Sequence, residues 1–141
     1  MNSLLEQYVE KNHFGRLVGI NFEVVKPGEV NYFLKISKSH LATPVAAHGG
    51  CISALIDAAM GVGALSLVAE SFQVVSTLEL KVSFLESVLE GDQLISKSTI
   101  LRKGRKIIFV EAEVKNQNNL IVAKGSGTFM VFDASKAGYV K

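Results

Sequence analysis

Between Gly49 and Ala69 the chain runs for 21 residues with a single charged side chain, Asp57. A membrane-spanning helix needs about 20 apolar residues, so length alone would admit one. Composition argues against it. The run holds four glycines along with alanines and serines, has few large aliphatic residues, and carries its carboxylate well inside. The segments that follow alternate as strands with one solvated face do. The run is therefore expected to be a helix buried in a soluble core, apolar on every side. Gly50, Ala54, Ala58 and Gly61 recur in it at spacings of four, four and three. Interior glycine costs about 1 kcal/mol against alanine, so a helix that accepts it is expected to press this small-residue stripe against a sheet.

Val30, Tyr32, Leu34 and Ile36 share one face of a strand. Turn chemistry at Lys26-Pro27-Gly28-Glu29 precedes them, which predicts a hairpin over residues 19–37. Residues 2–12 read as a short surface helix, and residues 38–47 as a loop broken by Pro44. After the apolar helix, Leu78, Leu80, Val82 and Phe84 alternate with Thr77, Glu79, Lys81 and Ser83. A strand over 94–101 leads to the tight turn Arg102-Lys103-Gly104-Arg105. Ile108, Val110, Ala112 and Val114 then alternate with Phe109, Glu111, Glu113 and Lys115, and residues 120–132 form the last strand. A hairpin, one buried helix and three or more antiparallel strands make an α+β arrangement, with a curved sheet wrapped around the helix. Residues 1–141 are expected to form one domain, with a helical segment over 1–13 and a polar tail over 133–141.

Composition removes several functions. At 48% apolar residues the chain can build a core without disulfides or a structural metal, and a net charge of +2 gives no footprint for nucleic acid. Cys51 is the only cysteine, so there is no disulfide framework. It lies at no metal-ligand spacing from His13, His40 or His48, and no metal site is expected. Cys51 is read as a small buried residue, because no base stands at an interpretable spacing. The N-terminus lacks the basic start and apolar run of a signal peptide, which makes cytosolic the default location.

The segment His48-Gly49-Gly50-Cys51-Ile52-Ser53-Ala54-Leu55-Ile56-Asp57 carries the chemistry. Its glycines fall where loop becomes helix. Helix starts leave backbone N–H groups unpaired and partly positive, which suits an oxyanion developing from a carbonyl. Glycine removes the bulk that would keep a carbonyl away, although a turn and a close contact would use the same residues. Asp57 needs a partner, a wet cavity or a neutral state. It fits a general base or nucleophile, and equally a structural carboxylate bonded to a hydroxyl.

A His-Gly-Gly start to a buried helix, with aspartate nine residues after the histidine, resembles hotdog-fold acyl-CoA thioesterases of the phenylacetate-pathway (PaaI-like) type. The resemblance covers roughly residues 14–132, including Phe14-Gly15-Arg16-Leu17-Val18-Gly19, the strand from Thr77 to Leu85, the Glu90-Gly91-Asp92 turn and the Gly104-Arg105 hairpin. It implies that Asp57 activates water or attacks the thioester, that the Gly49 N–H holds the thioester oxygen, and that His48 stands beside that carbonyl. Thr77 falls where a hydroxyl orients the water or carboxylate. It also implies acyl-CoA as substrate, with no cofactor beyond the coenzyme A it carries. Many members have asparagine six residues before the histidine, where this chain has Ala42.

Gly49 and Asp57 are eight residues apart on one helix, about 12 Å at 1.5 Å per residue. A nucleophile and an oxyanion donor must meet at one carbonyl, so one protomer cannot supply both to the same site. Asp57 of one chain is expected to face Gly49 of another across a two-fold axis. The similar enzymes are homodimers or dimers of dimers with shared sites. Gly50 belongs to the same substrate-binding turn. Arg102, Gly104 and Arg105 are candidates for the coenzyme A phosphates, since arginine suits phosphate by its planar fork, although a solvated hairpin tip more commonly explains such a basic cluster. Tyr8, Phe14, Phe22, Phe33, Phe84 and Phe132 are candidate walls of an acyl pocket, with core packing the commoner role for most of them. Two other functions fit the fold, a non-catalytic acyl-CoA binding module and an acyl-thioester hydratase or dehydratase. The His-Gly-Gly to Asp spacing disfavours the second, and Asp57 is hard to explain in the first.

Overall fold

The alternation over residues 30–36 carries into three dimensions without a slip. Val30, Tyr32, Leu34 and Ile36 are each no more than 2% exposed in the computed structural model, which describes residues 2–141. The first three belong to a hairpin of β1 (Asn21–Lys26) and β2 (Glu29–Lys35), and Ile36 directly follows it. Its turn needs Gly28, which has φ +87° and carries no Cβ to meet Ile100 and Leu67. A central helix α3 (Gly49–Val68) follows, and then β3 (Gln73–Phe84), β4 (Gln93–Lys103), β5 (Ile107–Lys115) and β6 (Ile121–Asp133). The six strands form one antiparallel sheet in the order β1-β2-β4-β5-β6-β3. The sheet wraps α3, which touches all six strands. This is the hotdog arrangement expected from the sequence.

The N-terminal segment folds as two helices where one was expected, α1 (Ser3–Lys11) and α2 (His13–Val18). Leu4 and Leu5 of α1 are buried, which secures that helix to the core. Asn12 ends α1 and caps α2 through its side chain, which accepts the Gly15 N–H at 3.0 Å.

α3 is long and apolar enough to cross a membrane, but its side chains fill the core instead. Ile52, Leu55, Ile56, Ala59, Met60 and Val62 are at most 4% exposed. Burial of one such large aliphatic side chain contributes about 1.5–3 kcal/mol. The expected sheet-facing stripe of Gly50, Ala54, Ala58 and Gly61 meets the sheet at Gly61, where a Cβ would lie 3.6 Å from the Phe129 ring of β6. The stripe as a whole is not the most buried side of the helix. Gly50 is exposed and the other three are half-buried, on the same open flank as Asp57. The sheet takes the larger side chains, and close approach comes from glycines elsewhere. A Cβ on Gly63 would lie 2.6 Å from the Ser98 hydroxyl, and one on Gly125 of β6 would lie 2.6 Å from Ile56. A helix that is apolar all round gives no periodicity from which to choose its sheet side.

β3 departs from simple alternation. It pairs with β6 through Thr77↔Phe129 and then Glu79↔Thr128, so Leu78 is an extra residue. The bulge reverses the parity of the strand. Thr77 therefore shares the helix-facing side with Leu80, Val82 and Phe84, rather than the opposite side. β3 is also a sheet edge, 12 residues long, and its stretch from Ser76 to Lys81 is exposed.

The Tyr32 hydroxyl is held far above the ordinary tyrosine value of 10.0 by burial, and the neighbouring Tyr8 adds to the effect. The unfolded chain releases this proton near pH 10, whereas the folded chain keeps it. The unfolded state therefore binds fewer protons above that pH, and stability falls as pH rises further. Urea midpoints should hold level below about pH 9.5 and decline above about pH 10. Tyr32→Phe should flatten part of that decline; an equally steep fall in this variant would refute the attribution.

Candidate active site

Asp57 lies near the middle of α3 on the open flank, half-buried, and its charge finds one hydroxyl. Thr77 Oγ1 donates to Asp57 Oδ1 at 2.8 Å. The β3 bulge makes this bond possible, because it turns Thr77 toward the helix. The bond occupies one carboxylate oxygen and leaves Oδ2 for other work. Asp57 and Thr77 border a pocket of about 240 Å³ that is mostly apolar. Its walls include Tyr8, Val62, Leu65 and Phe129. Burial raises the Tyr8 hydroxyl above its ordinary value, and the Asp57 charge adds a smaller push in the same direction.

Gly49 is the first residue of α3, and its N–H is one of those that a helix start leaves without an intrahelical partner. The Phe84 ring covers its Cα face, so that a Cβ there would lie 3.0 Å from the ring. His48 caps the same turn. Its Nδ1 accepts the Gly50 N–H at 2.7 Å, which leaves the proton on Nε2. A Cβ on Gly50 would lie 2.8 Å from that Nδ1, so the ring folds over the helix start only because residue 50 is glycine. His48, Gly49 and Gly50 therefore cluster at one end of α3, about 12 Å from Asp57. His48 and Gly50 line a groove separate from the Asp57 pocket.

Other expected site residues spread out. Arg102 and Arg105 are exposed on the β4–β5 hairpin, where the Gly104 N–H donates to the Ile107 carbonyl at 2.8 Å. Paired residues link that tip to the site row, in the order Lys103, Ile108, Phe129, Thr77. Three strand spacings separate its ends, about 14 Å. The tip thus shares the Asp57 end of the sheet without entering the pocket. Of the six candidate aromatic walls, Tyr8 and Phe132 line the pocket. Phe22 stacks between Tyr8 and Tyr32, Phe84 lies on Gly49, and Phe14 is 61% exposed. Cys51 is half-buried rather than buried; its thiol donates to the His48 carbonyl at 3.0 Å, and desolvation pushes its pKa up.

Leu4, Phe129 and Tyr139 are among the pocket residues that no sequence pattern marked. Tyr139 had a usable signal as the one aromatic residue in the tail over 133–141. That tail folds back in a short 3-10 turn, Ala134–Ala137, in which Ala134 is fully buried.

Residues 46–123, more than half of the chain, match the family described as the thioesterase superfamily. The chain is 26% identical over 96 residues to a medium/long-chain acyl-CoA thioesterase of Escherichia coli. That match covers 60% of this chain and 61% of the relative, so the chain spans less than two thirds of the relative's length. Among solved structures, the E. coli PaaI protein of the phenylacetic acid degradation operon superposes with a TM-score of 0.84. It shares 19% identity, over 92% of this chain and 91% of that one. A thioesterase-like protein of Streptococcus pneumoniae, solved with coenzyme A, gives 0.74 at 25% identity, over 81% and 86% of the two chains.

Proposed function

Since the chain belongs to the thioesterase superfamily, we propose that it hydrolyses acyl-CoA thioesters to a free acid and coenzyme A, at a site that two copies build together. Asp57 is the carboxylate that drives the reaction, as general base or as nucleophile. The observation that carries this reading is the bond from Thr77 Oγ1 to Asp57 Oδ1, at the border of an apolar pocket. The bond orients the carboxylate, and its free oxygen faces the thioester. When Asp57 acts as base, it takes a proton from water as the water oxygen bonds to the thioester carbon. The tetrahedral intermediate then collapses, the C–S bond breaks, and the proton passes to the departing sulfur. The acyl chain lies in the pocket. The relatives named for acyl-CoA hydrolysis and solved with coenzyme A support this substrate class.

The second half of the site comes from a partner subunit. β3 supports this reading, because an exposed and partly apolar sheet edge of 12 residues calls for a partner strand. Thr77 and Phe84 stand seven residues apart on that edge, the first bonded to Asp57 and the second packed on Gly49. Antiparallel pairing of two β3 strands about a centre near Leu80 sets Thr77 of one chain opposite Phe84 of the other. Asp57 then approaches the partner subunit's Gly49. The N–H of that glycine holds the oxyanion, and the His48 cap fixes the turn that presents it. Arg102, Gly104 and Arg105 meet the phosphates of coenzyme A at the rim.

The test is release of thiol from short, long and aryl acyl-CoAs by the purified protein, with free acid formed in equal amount. Tight binding of acyl-CoA without release of thiol would replace this reading with that of a binding module.

A further inference from the structure

The pocket beside Asp57 is walled in part by segments near both ends of the described residues. It runs along α3 from Asp57 to Leu65, eight residues or about 12 Å. Leu4 and Tyr8 line it from α1, and Ala137 and Tyr139 line it from the C-terminal segment. α1 packs on the 3-10 turn Ala69–Ser71 that follows α3, and the C-terminal segment bonds to the same region through the Ala134 N–H and the Phe72 carbonyl at 3.0 Å. α1 and the C-terminal segment thus stand at the end of the pocket remote from the Gly49 end of α3.

One side chain joins the two ends. Gln7 Nε2 donates to the Val140 carbonyl at 2.7 Å, and the Val140 N–H donates to Gln7 Oε1 at 3.2 Å. This amide clasp links residues 133 apart in sequence, next to Tyr139. Lys141 adds a contact over the Phe72 ring, 5.5 Å from its centroid. Both bonds of the clasp are solvent-exposed, so it holds the wall in register without locking it. The pocket volume of about 240 Å³ lies below the roughly 300–1,000 Å³ of drug-sized ligand sites. It has room for one acyl group of limited length.

Resting on the thioesterase reading above, we propose that Leu4 and Tyr139, held by the Gln7–Val140 clasp, form the stop that sets acyl-chain length. An acyl chain with its carbonyl at Asp57 runs along α3 and meets these two side chains. Short and medium acyl groups fit in front of them, and a long chain must displace the clasped segment. Tyr139 is thereby a specificity-determining residue, and Gln7 a positioning residue that acts through it.

The test is kcat/KM over a series of short, medium and long straight-chain acyl-CoAs, for the unaltered protein, Tyr139→Ala, Gln7→Ala and Asp57→Asn. In the unaltered protein the value should fall sharply between medium and long chains. Tyr139→Ala should raise the long-to-medium ratio at least about tenfold, the scale of one methylene gained or lost in an apolar pocket. Gln7→Ala, a surface change that leaves the pocket walls intact, should raise it in the same direction by less. Asp57-dependent hydrolysis with the same chain-length profile in both variants would overturn the stop while leaving the thioesterase reading intact. Absence of hydrolysis for every acyl-CoA in the unaltered protein would overturn both.

Discussion

Asp57→Asn is expected to lower kcat on acyl-CoA by about a thousandfold, within the range that a positioned proton acceptor contributes. The asparagine keeps an oxygen that can accept the Thr77 hydroxyl at 2.8 Å, so local geometry and folding should survive while basicity and nucleophilicity are lost. KM should change little, because the acyl pocket and the hairpin charges are untouched, and that split separates lost chemistry from lost binding. Thr77→Ala is expected to cost less, about tenfold, since it removes one orienting hydrogen bond and leaves the carboxylate. Steady-state kinetics on the best acyl-CoA, with thermal melting as a control for folding, decide the matter. An Asp57→Asn protein that turns over at the unaltered rate would remove this carboxylate from the mechanism.

Much of this arrangement could be read from the residues in order, and the parts that could not share a physical cause. Alternation located the buried faces of β2 and β5 because each strand has one packed face and no extra residue of its own, the register shifts falling on their partner strands; Ile108, Val110 and Val114 are fully buried. It misjudged β3 because a bulge at Leu78 shifts parity by one residue and leaves no mark in composition. The apolar run announced a core helix, yet could not say which flank faces the sheet, because side-chain size rather than polarity makes that choice. Asp57 stood out by isolation, and its hydroxyl partner was reachable only through family resemblance. Tyr139 lay in a segment whose polar residues suggested a loose tail. The neighbouring Val140 bonds to Gln7, 133 positions away, and contacts of that range have no local signature.

Gly49→Pro is expected to lower kcat by about a hundred- to a thousandfold, as loss of one oxyanion donor does elsewhere. Proline deletes the N–H in question and suits the first position of a helix, where that group has no intrahelical partner. His48 already has φ −67° and ψ 134°, the extended conformation that a residue before proline prefers. The Phe84 ring, 3.0 Å from the new Cβ, must give by a few tenths of an ångström, so the helix should form as before. This variant and Asp57→Asn are each expected to be nearly inactive alone, for opposite reasons. Unfolding the two together in equal amounts and refolding them distributes subunits at random, and half of the dimers are then mixed. Each mixed dimer joins the Asp57 of one chain to the Gly49 of the other at one of its two sites, so about a quarter of the unaltered activity should return. A site held within one chain would recover nothing on mixing. Refolding each variant alone supplies the baseline, and activity that stays on that baseline after mixing would overturn the shared site.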